Sequence, residues 1–347
     1  RTITPQVIPG AIYLYQKADG SPHQLTQGGK TYVLKEDLIV SGKAIDSLRD
    51  DITIDLNGHT IIFGQGAQAA ADVWGIDIRG GYNGATEING QGSRVRVVNG
   101  TIMQGESPVM QTNTDPYLLN AIRATGASHE IAGVNIIYHA SQSWGIQMNH
   151  SIGNAWIHHN VIRDMGAVIT DRHGAGTRAI GWRFPKEDLN NFKVDHNLIP
   201  RIRQNGISVA HDISYNEIYV DSWSTNSFAI QPLSIEGIDA GTNIGNRIFA
   251  TGYNPYGFGW AHENLLVQDN LVHLFGINVH NRWPENWGDV NLLAGFRITN
   301  YSPGGQPRNN LVYRDNLILG FAKEGAQIEG TRFYSDVSIA NVLFTNN

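Results

Sequence analysis

The sequence predicts an all-β fold: a right-handed parallel β-helix, or solenoid, of about ten coils with long loop insertions on one edge. Three observations support this fold class. An asparagine recurs after short apolar strands at intervals of 19 to 46 residues, a second type of strand recurs between the asparagines, and glycine is frequent, with 39 residues among 347. No stretch keeps a helical apolar period, so long helices are not expected.

The recurring asparagine lies in a constant local pattern. The pattern has six positions: an apolar residue, two variable residues, Asn, one variable residue and another apolar residue. Residues 157–162 and 194–199 are examples. A single strand of this kind cannot bury its apolar side, whereas stacked coils form one core and let buried Asn side chains bond in a ladder. We therefore expect a structural role for the following residues: Asn57, Asn99, Asn135, Asn160, Asn197, Asn216, Asn246, Asn270, Asn316 and Asn341.

Taken in order, residues 1–30 are predicted to be an irregular N-terminal segment or cap, and residues 31–40 a strand. Residues 51–63 then predict a strand, a tight turn at Asn57 and Gly58, and another strand. Because the repeat continues through nearly the whole chain without a break, we expect a single β-helix domain over residues 1–347. Residues 337–344 are again strand-like, and the sequence leaves open whether the native chain continues past Asn347.

The segment Leu56-Asn-Gly-His-Thr-Ile61 resembles the N-terminal coils of bacterial right-handed parallel β-helix proteins. By architecture the chain is similar to the β-helix polysaccharide lyases and to β-helix glycosidases such as polygalacturonase. The resemblance to the lyases implies an acidic chain bound along a parallel-sheet groove by Arg or Lys, in some members with calcium. Of the polygalacturonase signature only Asn113-Thr-Asp115 is present, and Trp156-Ile-His-His159 has His where a similar pectate lyase segment has Asp.

The second recurring strand carries a Gly-Ile or Ala-Ile pair followed by alternation, as in residues 74–79 and 144–149. If the Ile points inward, the residue after it and the one two further on point outward, and stacked coils align them. This reasoning predicts a strip of outward side chains with four arginines and one carboxylate. We interpret the strip as a groove that binds an extended anionic chain, and an ordinary solvated sheet face is the alternative. The strip consists of Asp77, Arg79, Arg123, Gln147, Asn149, Arg183, Ser208, Gln231, Asn278, His280 and Arg297.

Insertions at 105–119, 164–177, 221–227 and 251–256 all enter this strand and are expected to form walls beside it. Aromatic side chains in or near the insertions suit the apolar faces of sugar rings, although core or corner packing is the alternative for each. These aromatic residues are Tyr117, Trp144, Trp223, Tyr253, Tyr256, Trp260, Trp283 and Trp287. The predicted substrate-binding residues are Arg79, Arg123, Gln147, Asn149, Gln231, His280, Arg297, Trp144, Trp223 and Trp260.

The favoured function is a polysaccharide lyase, because β-elimination needs a cation for the uronate carboxylate and a base for the neighbouring proton. Arg183 and Arg123 are assigned to the carboxylate and His211 or His173 to the proton, while Arg297 and His280 serve a neighbouring subsite. Asp171 and His173 lie in the loop 170–178, the densest ionisable group of the sequence. The histidines at 158, 159, 196 and 262 are interpreted as turn residues.

Two other functions remain open. A glycoside hydrolase needs two facing carboxylates, for which the candidates are Asp164 or Asp171 with Asp212 or Asp221. A non-catalytic adhesin or tailspike-like protein would bind the glycan without turnover.

The amino-acid composition limits which partners and cofactors the protein is expected to bind. A formal charge of −6 makes nucleic acid an improbable partner, and no apolar run is long enough for a membrane span. Without cysteine there is no disulfide or thiolate metal site. No metal site or cofactor is predicted, and calcium is the one ion left open. The first residue is Arg1 rather than Met, which together with the fold predicts a secreted or periplasmic protein, and the oligomeric state is not fixed by the repeat.

Overall fold

The structure is a computed structural model, and it describes the following residues: 8–69, 73–79, 82–83, 86–87, 92–109, 119–138, 143–149, 153–164, 177–183, 191–208, 210–222, 227–231, 241–252, 255–259, 264–276, 292–298, 308–322, 327–333 and 339–347.

In chain order the strands are β1 (Ile12–Leu14), β2 (His23–Leu25), β3 (Thr31–Leu34), β4 (Leu38–Ile39), β5 (Ile45–Ser47), β6 (Thr53–Asp55), β7 (Thr60–Phe63), β8 (Val73–Ile78), β9 (Tyr82–Asn83), β10 (Thr86–Glu87), β11 (Arg96–Gln104), β12 (Leu119–Thr125), β13 (Glu130–Tyr138), β14 (Trp144–Asn149), β15 (Trp156–His158), β16 (Val161–Asp164), β17 (Arg178–Arg183), β18 (Lys193–Asp195), β19 (Leu198–Ile202), β20 (Asn205–Ser208), β21 (Asp212–Ser214), β22 (Glu217–Ser222), β23 (Ser227–Gln231), β24 (Thr242–Ile244), β25 (Arg247–Gly252), β26 (Pro255–Gly259), β27 (Leu266–Gln268), β28 (Leu271–Gly276), β29 (Leu292–Ile298), β30 (Arg308–Arg314), β31 (Leu317–Ala322), β32 (Gln327–Phe333) and β33 (Ile339–Thr345).

These strands stack in three parallel rows, and each coil passes through them in turn. Row one contains β1, β3, β6, the first halves of β11 and β13, and then β15, β18, β21, β24, β27, β30 and β33. Row two contains β4, β7, the second halves of β11 and β13, and then β16, β19, β22, β25, β28 and β31. Row three is a separate sheet of β2, β5, β8, β12, β14, β17, β20, β23, β26, β29 and β32. The predicted right-handed parallel β-helix is confirmed; β9 and β10 form a small antiparallel pair beside it.

The core follows from the alternation of side chains. In row one the inward positions Ile54, Val97, Ile131 and Ile157 pair in register through successive coils and are fully buried. Together with their counterparts in the other rows they belong to one apolar cluster that extends from Leu14 to Tyr313. No coil could bury its apolar residues alone, so stacking in register is what removes this surface from water.

An asparagine ladder lies at the corner between rows one and two. Each Nδ2 donates to the Oδ1 of the next rung at 2.8 to 3.1 Å, and the backbone N–H of each rung donates to the same oxygen. Nδ2 also donates to a backbone carbonyl of the preceding coil, as from Asn160 to Ile131. These bonds pair buried polar groups of the corner with one another. The rungs are Asn160, Asn197, Asn216, Asn246, Asn270, Asn316 and Asn347.

Four predicted ladder residues lie elsewhere. The backbone N–H of Val134, and not Asn135, bonds the first rung at Asn160, so Asn135 is one residue past the ladder position. Asn57 and Asn99 have positive φ angles of 51° and 60°, which Asn tolerates better than most residues. Asn341 belongs to β33, and the last rung is Asn347 instead.

The prediction that residues 1–30 form an irregular segment or cap was wrong from residue 12 onward. β1 pairs with β3 and β2 pairs with β5, so residues 12–25 contribute to the sheets rather than to an irregular cap. The predicted strand at 31–40 is divided into β3 and β4. Strands of two to four residues contain too few alternating positions to stand out in a sequence.

Long connections both precede and follow the strands of row three along the chain. The predicted ones at 105–119, 164–177, 221–227 and 251–256 do connect row two to row three. The connections at 184–192, 232–241 and 299–307 lead from row three to row one. The prediction that the long insertions occur on one edge of the solenoid was therefore incomplete. In the part of the chain that the structure describes, no helix has the length and hydropathy needed to cross a membrane.

Candidate functional site

The outer face of row three carries a column of polar residues in register, here called the polar column. Asp46 pairs with Asp77, Asp77 with Arg123, and the pairing continues coil by coil to Gln231. Ile230 pairs with Phe258, which brings Gln231 beside Gly259, and Gly259 pairs with Arg297. The members in order are Asp46, Asp77, Arg123, Gln147, Gly181, Ser208, Gln231, Gly259 and Arg297. The predicted alignment of Asp77, Arg123, Gln147, Ser208, Gln231 and Arg297 is confirmed, while their role in binding stays a prediction.

A second column of outward residues, here called the aromatic column, lies beside the first. The guanidinium of Arg123 lies 4.0 Å from the ring centroid of Trp74, and those of Arg178 and Arg297 lie 4.6 and 4.7 Å from Trp144 and Tyr256. Cations over aromatic faces attract the ring quadrupole. The column contains Trp74, Asn120, Trp144, Arg178, Asn205, Phe228, Tyr256 and Ala294.

The expectation that Trp144 offers its ring to a sugar at the groove rim is corrected by this arrangement. Trp144 is only 1% exposed and lies on the sheet against Arg178. Its neighbour Gly181 leaves room for it, because a Cβ there would come within 3.0 Å of the indole. Tyr256 is buried in the same way, beside Phe228. The aromatic residues of row three thus support the arginines rather than form an open platform.

At the N-terminal end of row three, five charged residues form an ion-pair network around the buried carboxylates of Asp46 and Asp77. Lys43 Nζ lies 2.8 Å from Asp77 Oδ2 and 3.5 Å from Asp46 Oδ2. Arg79 Nε lies 2.7 Å from Asp77 and 3.0 Å from Asp46, and Arg123 Nε lies 3.3 Å from Asp77. Asp77 is fully buried, and a buried carboxylate needs such partners. Three cations therefore face two carboxylates here, and the predicted excess of positive charge is largely cancelled at this end.

Burial raises the pKa of Asp46, and the neighbouring Asp77 raises it further, while Lys43 and Arg79 oppose the shift. Sequence reasoning missed Asp46 and Lys43. A signal was present, because Ile45-Asp46 repeats the Ile76-Asp77 pair one coil earlier.

The central part of the polar column holds buried polar atoms whose hydrogen bonds are incomplete. Gln147, 1% exposed, accepts through Oε1 from the Nδ2 atoms of Asn120 and Asn149, both at 3.4 Å. Within the part of the chain that the structure describes, Gln147 Nε2, Asn149 Oδ1 and Ser208 Oγ have no hydrogen-bond partner. A buried polar group left unpaired costs about 1–3 kcal/mol. Each of these atoms on neighbouring coils can still donate or accept a hydrogen bond, although all of them are buried rather than part of an open surface.

Other predicted residues lie around this centre. Asn149 pairs in register with Arg183 of β17, and Gln231 is buried at the end of β23. Arg79 follows β8 and is partly exposed. His173, Asp171, Trp223, Trp260, His280 and Asn278 lie outside the described residues, and of Arg183 only the strand position is described.

The catalytic candidate His211 lies at the corner between row three and row one. Its Nδ1 is 3.2 Å from Asp212 Oδ1, which also accepts from Thr242 Oγ1 at 2.8 Å. Burial raises the pKa of Asp212, but the hydrogen bonds from His211 and Thr242 outweigh burial and lower it. This contact directs the ring toward row one, and the structure does not bring His211 into the polar column.

The carboxylates considered for hydrolysis are also dispersed. Asp212 begins β21 in row one, and Asp221 lies on β22 in row two, 3.5 Å from Arg201 Nη2. Asp164 ends β16. None of the three belongs to the polar column. Among the described residues no three His, Asp or Glu side chains converge as metal ligands.

No protein-family model matches the chain, and no curated protein sequence is significantly similar to it. Solved structures that resemble it include DFA-IIIase from Arthrobacter chlorophenolicus A6, with a TM-score of 0.42 and 10% identity over 96% of this chain and 82% of that one. An alginate lyase from Paenibacillus sp. str. FPU-7 has a TM-score of 0.31 and 10% identity over 92% and 93% of the two chains.

A double mutant of the periplasmic alginate epimerase AlgG has a TM-score of 0.36 and 11% identity over 92% and 77% of the two chains.

Proposed function

We propose that this protein is a polysaccharide-degrading enzyme that binds an extended acidic glycan along the polar column and cleaves it by β-elimination. The observation that carries the proposal is the set of buried polar atoms at Gln147, Asn149 and Ser208 that have no hydrogen-bond partner among the described residues, with Gln147 and Ser208 in line with Arg123 and Arg297. Hydroxyl groups of a sugar both donate and accept, and would complete these bonds. Coils stacked about 4.8 Å apart favour a ligand that is itself extended along the axis.

In the proposed reaction a base removes the proton on the carbon beside the uronate carboxylate. The carbon–oxygen bond to the leaving sugar breaks, a carbon–carbon double bond forms, and an acid protonates the leaving oxygen. A guanidinium that neutralises the carboxylate makes the proton more acidic, and Arg123 and Arg183 are assigned this task. Of the two candidate bases, His173 is assigned the proton, because His211 lies at the corner toward row one and outside the polar column. Arg297 with His280 is assigned the neighbouring subsite.

The test mixes the protein with alginate, pectate and dermatan sulfate and records ultraviolet absorbance together with reducing ends. Both signals rising together indicate elimination, because only a lyase leaves an unsaturated sugar. Reducing ends without absorbance indicate hydrolysis, and binding without either signal indicates an adhesin. We expect Gln147→Ala to weaken substrate binding about tenfold. Gln268→Ala, on the outer face of row one beside Arg314, is the matched control and should behave as wild type.

Hydrolysis is the second candidate function, and one observation favours it. Asp46 and Asp77 are adjacent in the polar column, and the raised pKa of Asp46 is what a general acid needs. However, Asp77 is fully buried and bonded to Lys43, Arg79 and Arg123, so the pair serves coil packing better than a reaction. Loss of reducing ends in Asp46→Asn, with the protein still folded, would reverse this ranking.

A further inference from the structure

A second concave surface lies on the outer face of row one, on a different side of the solenoid from the polar column. It is a cleft of about 470 Å³, within the range of roughly 300–1,000 Å³ that small-molecule sites occupy. Val98 and Ala132, which pair in register, form an apolar floor. Arg96 and Glu130 line one side of it.

Charged groups in this cleft are held in fixed positions. Arg96 binds Glu130 through two bonds, Nε to Oε2 at 2.7 Å and Nη2 to Oε1 at 3.2 Å, and His158 Nε2 lies 3.4 Å from Glu130 Oε1. The hydrogen bond from Arg96 lowers the pKa of Glu130, so this carboxylate is ionised near neutral pH. Asp55, also in the lining, accepts from Asn99 Nδ2 at 3.3 Å.

The charge balance of the cleft differs from that of the polar column. Among its described lining residues, two carboxylates, Glu130 and Asp55, accompany a single arginine, Arg96. An acidic ligand would therefore meet like charge, whereas a neutral ligand with hydroxyl groups would find both donors and acceptors.

An exposed aromatic ring lies beside the cleft, next to its lining residues Glu130 and His158. Trp156 pairs in register with Glu130 and is 42% exposed. One face of its indole stacks on His158 with ring centroids 3.7 Å apart, and its Nε1 donates to Asp195 Oδ2 at 2.7 Å. These two contacts fix the orientation of a large ring that remains partly in water. A fixed, exposed tryptophan beside polar side chains suits the apolar face of a sugar ring.

We propose that this cleft, together with Trp156 beside it, is a second saccharide site, which binds a neutral oligosaccharide along the solenoid axis, with Trp156 against one sugar ring and Arg96, Glu130 and Asp55 bonding hydroxyl groups of the units next to it. The site is separate from the proposed reaction in row three, and it does not depend on whether that reaction is an elimination. A glycan held here would keep the protein on a carbohydrate surface while row three acts on another segment.

The test is isothermal titration with three neutral probes, cellohexaose, mannohexaose and xylohexaose, and one acidic probe, an alginate hexasaccharide. At least one neutral probe should bind, and Trp156→Ala should weaken its binding at least tenfold, while Trp156→Phe should retain part of it. Tyr15→Ala, which removes another exposed aromatic ring outside the cleft, is the matched control. A circular dichroism melt of each variant checks that it is folded.

Two results would overturn the inference: no neutral probe binds, or a probe binds but Trp156→Ala binds it as tightly as wild type. Gln147→Ala separates the two sites, because it lies in row three. If Gln147→Ala rather than Trp156→Ala removes binding of the neutral probe, the sugar occupies the polar column and the cleft proposal fails. If Trp156→Ala alone removes it, the cleft site stands whatever the outcome of the lyase assay.

Discussion

Arg123 Nε lies 3.3 Å from Asp77 Oδ1, and the two residues are register partners on adjacent coils. Asp77 is fully buried and also bonds Lys43 and Arg79. Asp77, together with Asp46, therefore compensates three cations at the start of row three.

Asp77→Asn should lower the free energy of unfolding by about 3–5 kcal/mol, because it removes a fully buried counter-charge from the buried Lys43 and from Arg79 and Arg123. Urea denaturation followed by circular dichroism measures this. Asp51→Asn is the control, since Asp51 pairs with Arg94 at the surface and should unfold close to wild type. Equal unfolding free energies of the two variants would show that the charged network in row three does not stabilise the fold.

The asparagine ladder gives a second prediction. Asn216 Oδ1 accepts from both the N–H and the Nδ2 of Asn197, and Asn216 Nδ2 donates to Asn246. Asn216→Ala leaves buried donors unpaired, at about 1–3 kcal/mol for each, and should lower the unfolding free energy accordingly. Asn135→Ala, one position past the ladder, should have a small effect. A similar loss in both variants would mean that the ladder carries no special stability.

A third prediction concerns glycine in row three. A Cβ at Gly259 would overlap the ring of Phe228, which is buried, whereas a Cβ at Gly330 meets nothing within 4 Å. Gly259→Ala should therefore cost about 1–3 kcal/mol of unfolding free energy. Gly330→Ala, in the same sheet, should be close to neutral. Thermal melts of the Gly259→Ala and Gly330→Ala variants measure this difference. If Gly259→Ala melted at the wild-type temperature, Phe228 of the aromatic column would not lie where the structure places it.

Buried His129 makes stability depend on pH. Its Nδ1 accepts from the N–H of Val95 and its Nε2 donates to the carbonyl of Thr125, so the ring is neutral. Burial lowers the pKa of His129 from about 6.5 to about 4. Because the folded pKa is depressed, its contribution is complete above about pH 6.5 and is lost as pH falls toward 4, by up to roughly 3 kcal/mol.

Unfolding free energies of wild type and His129→Gln between pH 7 and pH 4 measure this contribution. Between pH 7 and pH 4 the unfolding free energy of the wild type should fall by more than that of His129→Gln. His196→Gln, which removes a largely exposed histidine, should keep the wild-type dependence. A His129→Gln curve parallel to that of the wild type would contradict the assignment.

The fold and the alignment of the polar column could be predicted from the sequence because both follow from short-range patterns. Apolar alternation and a recurring Asn determine which side of each strand is buried, and stacking then brings Asp77, Arg123 and Gln147 together. The ladder register was wrong at Asn135, because a spacing of apolar residues does not distinguish adjacent corner positions.

What the sequence could not supply were contacts between distant side chains. The pairing of Lys43 with Asp77, the position of Trp144 beneath Arg178 and the stacking of Trp156 on His158 depend on three-dimensional packing. His158 and His159 were interpreted as turn residues, and only the structure shows that His158 lies between Glu130 and a partly exposed tryptophan.

The most direct test of the central claim is a crystal structure of the protein with the acidic oligosaccharide that it binds best in the lyase assay. We expect a sugar chain along the outer face of row three, with hydroxyl oxygens within about 3.2 Å of Gln147 Nε2 and Ser208 Oγ and a carboxylate against Arg123. If the oligosaccharide binds elsewhere and makes no contact with this face, the polar column is not the substrate site.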